Sequence, residues 1–317
     1  MRVITAAGLG LALALSASAG ADATELTVMS YNIWGGGANE GKPVDETVAA
    51  IRAAGADIVG LQETRLEADP CTAEACPPAG PSVAAAIAAA LGFFHHDQVA
   101  TNDALWANAV ISRYPILGAT PNDLGVTIDV DGRKVALLNL HLDDSPYQPY
   151  QLLGIEYGPF PFLRTADEAV AAAEATRGPA LRLLEGDLAG LEAEAYFVTG
   201  DFNEPSHRDW TDRAVAAGHQ PLAVPFPTTR AIEALGFVDA LRAVFPDEAA
   251  KPAFTWTPTS APDDPEDHHD RIDFVFARAP GLEVLSAAIV GEAAPAADIV
   301  VTPWPSDHRA VVTTVRF

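Results

Sequence analysis

Basic charge is what this 317-residue chain has least of: three lysines, and 19 Lys and Arg against 43 Asp and Glu. A protein that grips nucleic acid through its phosphates carries a basic stripe. No Lys/Arg cluster is visible, and a net charge of -24 repels a polyanion at long range. That counts against a long nucleic acid as partner. Small phosphoesters are less affected, because a bound cation can offset the local field. Cysteine is also scarce. Cys71 and Cys76 in "DPCTAEACPP" are the two present, and they suit a disulfide closing a small loop in an oxidising compartment. No His/Cys partner set accompanies them, which argues against a metal site there. After the first two dozen residues no apolar run is long enough to span a bilayer. Internal repeats and long linkers are lacking too.

What stands at the N-terminus is "MRVITAAGLGLALALSASAGADA". Arg2 makes a minimal charged region, Val3 to Leu15 an apolar one, and Ala17-Ser18-Ala19 a cleavage signal. This pattern predicts a secretory signal peptide over residues 1–23, a periplasmic or secreted protein, and one catalytic domain over 24–317. An apolar fraction of 49% is ample for a buried core.

Apolar runs such as "LTVMSYNIW", "DIVGLQE", "NAVISRYPI", "KVALLNLHL", "AYFVTGDFN", "RIDFVFAR" and "AVVTTVRF" read as strands. Helical runs alternate with them, among them "VDETVAAIRAAGA", "PSVAAAIAAALG" and a long one from Asp167. Asp131-Gly132 predicts a tight hairpin. Hairpins with intervening helices imply mixed sheets. Two segments read as irregular: "DDSPYQPYQLLGIEYGPFPF" (143–162) and the acidic "SAPDDPEDHHD" (260–270).

Polar residues stand at the ends of these strands. By the period of two, Ser30 and Asn32 share a face, as do Asn139 and His141, Asp201 and Asn203, and Arg271 and Asp273. Glu63 ends another apolar run, and Asp307-His308 precede the last strand. Singly, Asn32 is as well explained as a turn cap, Glu63 as a solvated strand end and His141 as an interior histidine. Together they are not. Buried carboxylates are costly without a counter-charge, and Glu63, Asp201, Asp273 and Asp307 would converge with almost no lysine to neutralise them. A hard divalent cation, Mg2+, Mn2+ or Ca2+, suits oxygen ligands of this kind.

The motifs "MSYNIW", "GLQE", "NLHL", "GDFNE", "RIDFVF" and "SDH" occur in that order. In this the chain resembles the endonuclease/exonuclease/phosphatase (DNase I-like) superfamily, as an exported, bacterial-type member, from Leu26 to Phe317. The resemblance implies a four-layer α/β sandwich, two mixed β-sheets face to face with helices outside. It also implies in-line hydrolysis of a phosphoester at one end of the sandwich. Glu63 and Asn32 would hold the metal, with Asp307 nearby. Asp201 would orient or deprotonate the attacking water, Asn203 would hold the water or a phosphate oxygen, and His308 would donate to a non-bridging oxygen. His141 and Asp273 would sit on the leaving-group side, and Asn139 would help to hold the phosphate. Arg113 is a weaker candidate for a phosphate contact, a strand-edge salt bridge being its other reading. Tyr147 and Tyr150 could form a substrate wall, with Tyr157, Phe160 and Phe162 nearby, or a satellite apolar cluster. The acidic run 263–270 reads as a solvated loop ahead of a second cation site.

The favoured function is an exported, monomeric, metal-dependent phosphoesterase acting on small or lipid-like phosphoesters. A secreted DNA or RNA endonuclease and a non-catalytic binding module are the alternatives, the second disfavoured by the intact motif set.

Overall fold

The computed structural model describes residues 23–66 and 83–317. The expected signal peptide lies outside them apart from residue 23, and so do Cys71 and Cys76. Four strands open the first sheet: β1 (Glu25–Asn32), β2 (Ile58–Gln62), β3 (Phe94–Gln98) and β4 (Asn108–Ser112). The second sheet takes β5 (Ile116–Ala119), β6 (Gly125–Val130), β7 (Arg133–His141), β8 (Ala195–Asp201), β9 (Val238–Asp239) and β10 (Asp273–Arg278). The chain then returns to the first sheet as β11 (Glu283–Gly291), β12 (Ile299–Val300) and β13 (Ala310–Arg316). The orders are β12-β11-β13-β1-β2-β4-β3 and β5-β6-β7-β8-β10-β9. Both sheets are mixed: β1 pairs in parallel with β2 but antiparallel with β13, and β7 in parallel with β8 but antiparallel with β6.

Alternation along the strands builds three apolar layers. Val28, Ile58 and Val110 meet Val126, Leu137, Phe197 and Val275 between the sheets. Met29, Tyr31, Val59 and Leu61 point outward under helices α1 (Val44–Ala54) and α2 (Val83–Leu91). Leu138, Leu140, Val198 and Phe274 point outward on the other side. The order is thus helix, sheet, sheet, helix, the DNase I-like arrangement.

The remaining helices are α3 (Gln148–Leu153), α4 (Ala166–Ala189), α5 (Asp212–Ala216), α6 (Pro227–Ala234) and α7 (Ala240–Val244). Leu184 and Leu188 of α4 cover the outer face of the second sheet. A capping box starts α4: Thr165 accepts from the Glu168 amide while the Glu168 carboxylate accepts from the Thr165 amide. No helix among the described residues is long and apolar enough to cross a membrane.

The predicted hairpin joins β6 to β7, with Asp131 and Gly132 at φ of 52° and 90°. Two expectations need correction. "NAVISRYPI" is not one strand: the chain leaves the first sheet at Ser112 and enters the second at Ile116, with Pro115 between. The segment 143–162 is not wholly irregular, since it contains α3.

The two sheets approach each other closely at Gly60, Asn139 and Thr199. Asn139 crosses the gap, its Nδ2 donating to the carbonyls of Leu61 (2.8 Å) and Ala109 (3.1 Å) and to Gln98 Oε1 (2.9 Å). Its Oδ1 accepts from Gln62 (2.6 Å) and Thr199 (3.1 Å). A β-carbon on Gly60 would stand 2.1 Å from Thr199 Oγ1 and 2.4 Å from Asn139 Oδ1. The glycine of "GLQE" is therefore there for this close approach.

Candidate active site

Strand direction and register bring the polar residues to one end. His141 lies opposite Asp201 across the parallel pair β7–β8, and Asp201 lies opposite Asp273 across the antiparallel pair β8–β10. From the facing sheet, Asn32 ends β1 and Glu63 follows β2. The turn before β13 adds Asp307 and His308. The loops here carry Trp34, Glu63, Ala107 and Asn203 at φ of 45–52°. Such backbone costs side-chain-bearing residues about 1–3 kcal/mol each. Glu63 adopts it where the chain turns sharply out of β2, its carbonyl accepting from Gly35 N (2.8 Å).

The side chains meet at close range. Asn32 Nδ2 donates to Glu63 Oε1 (2.8 Å) and Asp201 Oδ2 (3.0 Å). Asp201 Oδ2 lies 3.5 Å from His308 Nε2 and 3.7 Å from His141 Nε2. Asp201 Oδ1 accepts from the Asn203 amide (2.9 Å), which closes the turn after β8. His308 Nδ1 donates to Asp273 Oδ2 (2.9 Å), and the Trp256 ring packs 5.1 Å from the His308 ring. His141 Nδ1 contacts the Trp106 carbonyl (3.2 Å).

The carboxylates outnumber their counter-charges. Burial pushes Asp307 up to about 7; His308 offsets part of this, and nearby Glu63 and Asp201 add to it. Burial also raises Glu63, and pushes Asp273 up to about 6. Burial works against a charged His308, but Asp273 and Asp201 outweigh it and hold the imidazolium well above its usual range. Three buried oxygens of this site, Glu63 Oε2, Asp273 Oδ1 and Asp307 Oδ1, have no hydrogen-bond partner within the protein, and those of Glu63 and Asp307 belong to residues that line the cleft. Buried oxygens left so in a native fold call for a water, an ion or a catalytic role. Ligand atoms of Glu63, His141 and Asp201 lie within 4.8 Å of one another. This donor set fits a hard divalent cation, and Asp307 lines the same cleft without belonging to the set.

A profile of the Endonuclease/Exonuclease/phosphatase family matches residues 29–308. The chain belongs to that family. An uncharacterized Caenorhabditis elegans protein, F14F9.5, is 26% identical over 313 residues, covering 92% of this chain and 91% of its own. The structure of the 3' phosphatase NExo from Neisseria, a point variant bound to a product DNA hairpin, is similar at a TM-score of 0.53 and 16% identity. That match covers 91% of this chain and 98% of NExo. Truncated Caenorhabditis elegans TDP2 is similar at 0.51 and 19% identity, over 92% and 97% of the two chains.

Around these side chains lies a cleft of about 870 Å³, lined by Glu63, His141, Asp201, Asn203, Asp307 and His308 among others. Four residues placed here by sequence, Asn32, Asn139, Asp273 and Arg113, do not line it. Asn139 stands two residues down β7 from His141, and its polar atoms are engaged between the sheets. Asp273 is fully buried and meets the site through its bond to His308 Nδ1. Arg113 follows β4, which runs antiparallel to β2 and away from the site. It pairs with Asp57 (3.0 Å) at the far end of the sheet. Asn32 also differs from a simple ligand: its amide braces Glu63 and Asp201, and its Oδ1 accepts from Trp34 N (3.1 Å).

Tyr147 and Tyr150 do line the cleft, and so does Tyr157. The acidic loop explains how they are held. Tyr147 donates to Asp270 Oδ2 (2.8 Å), whose other oxygen accepts from Trp210 (2.8 Å) and Gln220 (3.2 Å). Burial pushes Asp270 up to about 8, against these three donors. Tyr150 donates to Asp267, which also accepts from Trp256 Nε1 (3.1 Å). The loop therefore divides: Asp263 and Glu266 are exposed, while Asp267 and Asp270 anchor the aromatic wall. Neither metal-type cluster among the described residues includes this loop. Sequence reasoning missed Trp106 and Trp256, because an isolated tryptophan in a loop carries no periodic signal. It also missed Glu204, the last charge of "GDFNE". Glu204 accepts from Thr228 N (2.8 Å) and lies 3.8 Å from buried Arg177, which donates to Gln148 of α3 (2.6 Å).

Proposed function

We propose that this chain is an exported, divalent-metal-dependent phosphoesterase that hydrolyses small or lipid-like phosphoesters by in-line attack of water. The observation that carries the reading is the pair of unpartnered buried oxygens, Glu63 Oε2 and Asp307 Oδ1, beside the Asp201–His308–Asp273 array. When bound, Mg2+ or Mn2+, with Ca2+ a further option, would act as a Lewis acid on the phosphoryl group. Glu63 and Asp307 would hold it, and Asn32 would keep the Glu63 carboxylate in place. Asp201 Oδ2 would orient the water and take its proton. His308 is kept charged by Asp273, so it enters the reaction as a donor, steadying the negative charge that builds on a non-bridging oxygen. His141 faces the same carboxylate from the other side and would serve the leaving group. Asn203 would position the water or a phosphate oxygen.

The cleft supports a small or headgroup-sized substrate. Among its lining residues there is no lysine or arginine, while Asp103, Asp143 and Asp144 join the site carboxylates. A long polyanion would meet repulsion along this wall. Export rests on the N-terminal pattern of Arg2, an apolar run and a small-residue cleavage signal.

The test is a substrate panel. Purified protein with Mg2+, Mn2+ or Ca2+ is assayed against nitrophenyl phosphate, bis-nitrophenyl phosphate, dispersed phospholipid and plasmid DNA. Metal-dependent turnover of the small or lipid esters is expected, with loss of activity in a chelator. A plasmid rate far above the others, falling steeply with salt, would favour the nuclease instead.

A further inference from the structure

We infer that the loop from Leu152 to Leu163 is a docking surface for a zwitterionic lipid layer, placed so that the cleft opens onto it. This deepens the phosphoesterase reading and rests on it for the choice of substrate. Of the eleven exposed large hydrophobic side chains among the described residues, Leu153, Tyr157, Phe160 and Phe162 fall within ten positions. Phe162 is 53% exposed and Tyr157 42%. Scattered apolar residues need no explanation, but several on one exposed loop do.

The loop is built to present them. Gln151 closes its neck, donating from Nε2 to the Pro161 carbonyl (2.7 Å) and accepting at its own carbonyl from Leu163 N (3.0 Å). Leu152 and Leu163 turn inward onto the cluster of Trp210 and Phe226, and Ile155 packs against Tyr147 and Tyr150. Pro159 and Pro161 restrict the tip, and the Phe160 ring lies over Gly158. Little conformational freedom is left to lose on docking. The patch is continuous with the active site, because Tyr157 both lines the cleft and packs edge-on against Tyr150 at 5.8 Å.

Charge selects the occupant. Glu156 is the one charged residue between Leu152 and Leu163, and no lysine or arginine is present there. A chain of net charge -24 repels an anionic layer and also a second copy of itself. A zwitterionic layer carries no such penalty, and exposed Phe, Leu and Tyr suit the boundary between headgroups and acyl chains.

The experiment compares the full chain with a Phe160→Ser, Phe162→Ser variant by co-flotation with phosphatidylcholine vesicles. Turnover of soluble bis-nitrophenyl phosphate, melting curves and solution mass are measured on the same samples. The wild type should float, and the variant should lose at least about tenfold in bound fraction. Soluble turnover and melting point should match, since both residues are exposed and neither lines the cleft. As a second measurement, Phe162→Trp should give a blue-shifted emission when vesicles are added. Failure of the wild type to float, equal flotation of the variant, or flotation that needs anionic lipid would each overturn the inference. So would a wild-type dimer that the variant dissociates. Flotation without turnover of either the soluble diester or dispersed phospholipid would overturn the phosphoesterase reading alone, and turnover without flotation the docking surface alone.

Discussion

Arg271 and Asp273 stand two residues apart in "RIDFVF", yet they belong to buried charge clusters of opposite kinds. Arg271 donates from Nε to Asp209 (2.8 Å) and from both Nη atoms to Asp239 (2.7 and 3.1 Å). Arg242 completes the set through Asp209 (2.6 Å) and three backbone carbonyls. Two acids face two bases. Burial would raise Asp239, but Arg271 overrides it and holds the carboxyl below its usual range. Asp273 belongs instead to a group in which Glu63, Asp201 and Asp307 are its companions and His308 and His141 the sole cationic candidates. There Glu63, Asp273 and Asp307 are raised, and oxygens are left without partners. The first cluster is complete without a ligand and holds the fold. The second is incomplete, and what it lacks is positive charge.

The largest expected effect strikes the complete cluster. Arg271→Met should cost about 3–5 kcal/mol in urea unfolding, because Asp239 and Asp209 would be left buried with too little counter-charge. A loss below about 1 kcal/mol would erase the distinction between the clusters. At the incomplete cluster, Asp201→Asn should lower kcat by at least about a hundredfold, the typical effect of removing one transition-state contact of this kind. Its melting point should hold or rise, since one like charge leaves a crowd of acids. His308→Ala should lower kcat by a similar factor. From sequence alone His308 has no structural duty, but it is buried against Asp273, so this variant should also melt lower.

A smaller effect concerns protons and metal. Asp307 at about 7 must lose its proton to bind a cation, so Mn2+ or Mg2+ affinity by calorimetry should fall about tenfold from pH 8 to pH 6. A folded pKa above the unfolded value of about 3.9 favours the fold at low pH. That contribution is lost as pH rises through about 7, so the metal-free protein should melt lower at pH 8 than at pH 5. Added metal should therefore raise the melting point most at pH 8. Glu63→Gln should weaken metal binding, with excess metal partly restoring activity. Equal affinity at both pH values would remove Asp307 from the metal site.

Smallest is Asp267→Asn, at a carboxylate intermediate between the two clusters, satisfied by neutral donors alone. Loss of its bonds to Tyr150 and Trp256 should cost about 1 kcal/mol and raise KM roughly fivefold, with kcat changing less. An unchanged KM with altered Trp256 fluorescence would show that the wall is held but not used.

The amino-acid sequence by itself determined which face each strand residue occupies. Val28, Ser30 and Asn32 do look across to the other sheet, and Met29, Tyr31 and Ile33 do look out to the helices. Local chemistry also sufficed for the Asp131-Gly132 hairpin and for the motif order, because these depend on neighbours along the chain. What only the tertiary structure decided is which end of a strand a residue reaches and how deep it sits. Asn139 and His141 share a face, but roughly 6.6 Å along β7 separates a bolt between the sheets from the wall of a cleft. Arg113 follows an apolar strand as Glu63 does, yet the antiparallel pairing of β4 with β2 sends the two to opposite ends. Asp273 is bound to His308, which the turn before β13 of the other sheet brings to it, a pairing that no local pattern announces. The acidic run at 263–270 divided into solvated and anchoring halves for a similar reason: the tyrosines it holds come from more than a hundred positions earlier. Period and composition report local preference, whereas direction, register and depth are set by pairings between distant segments.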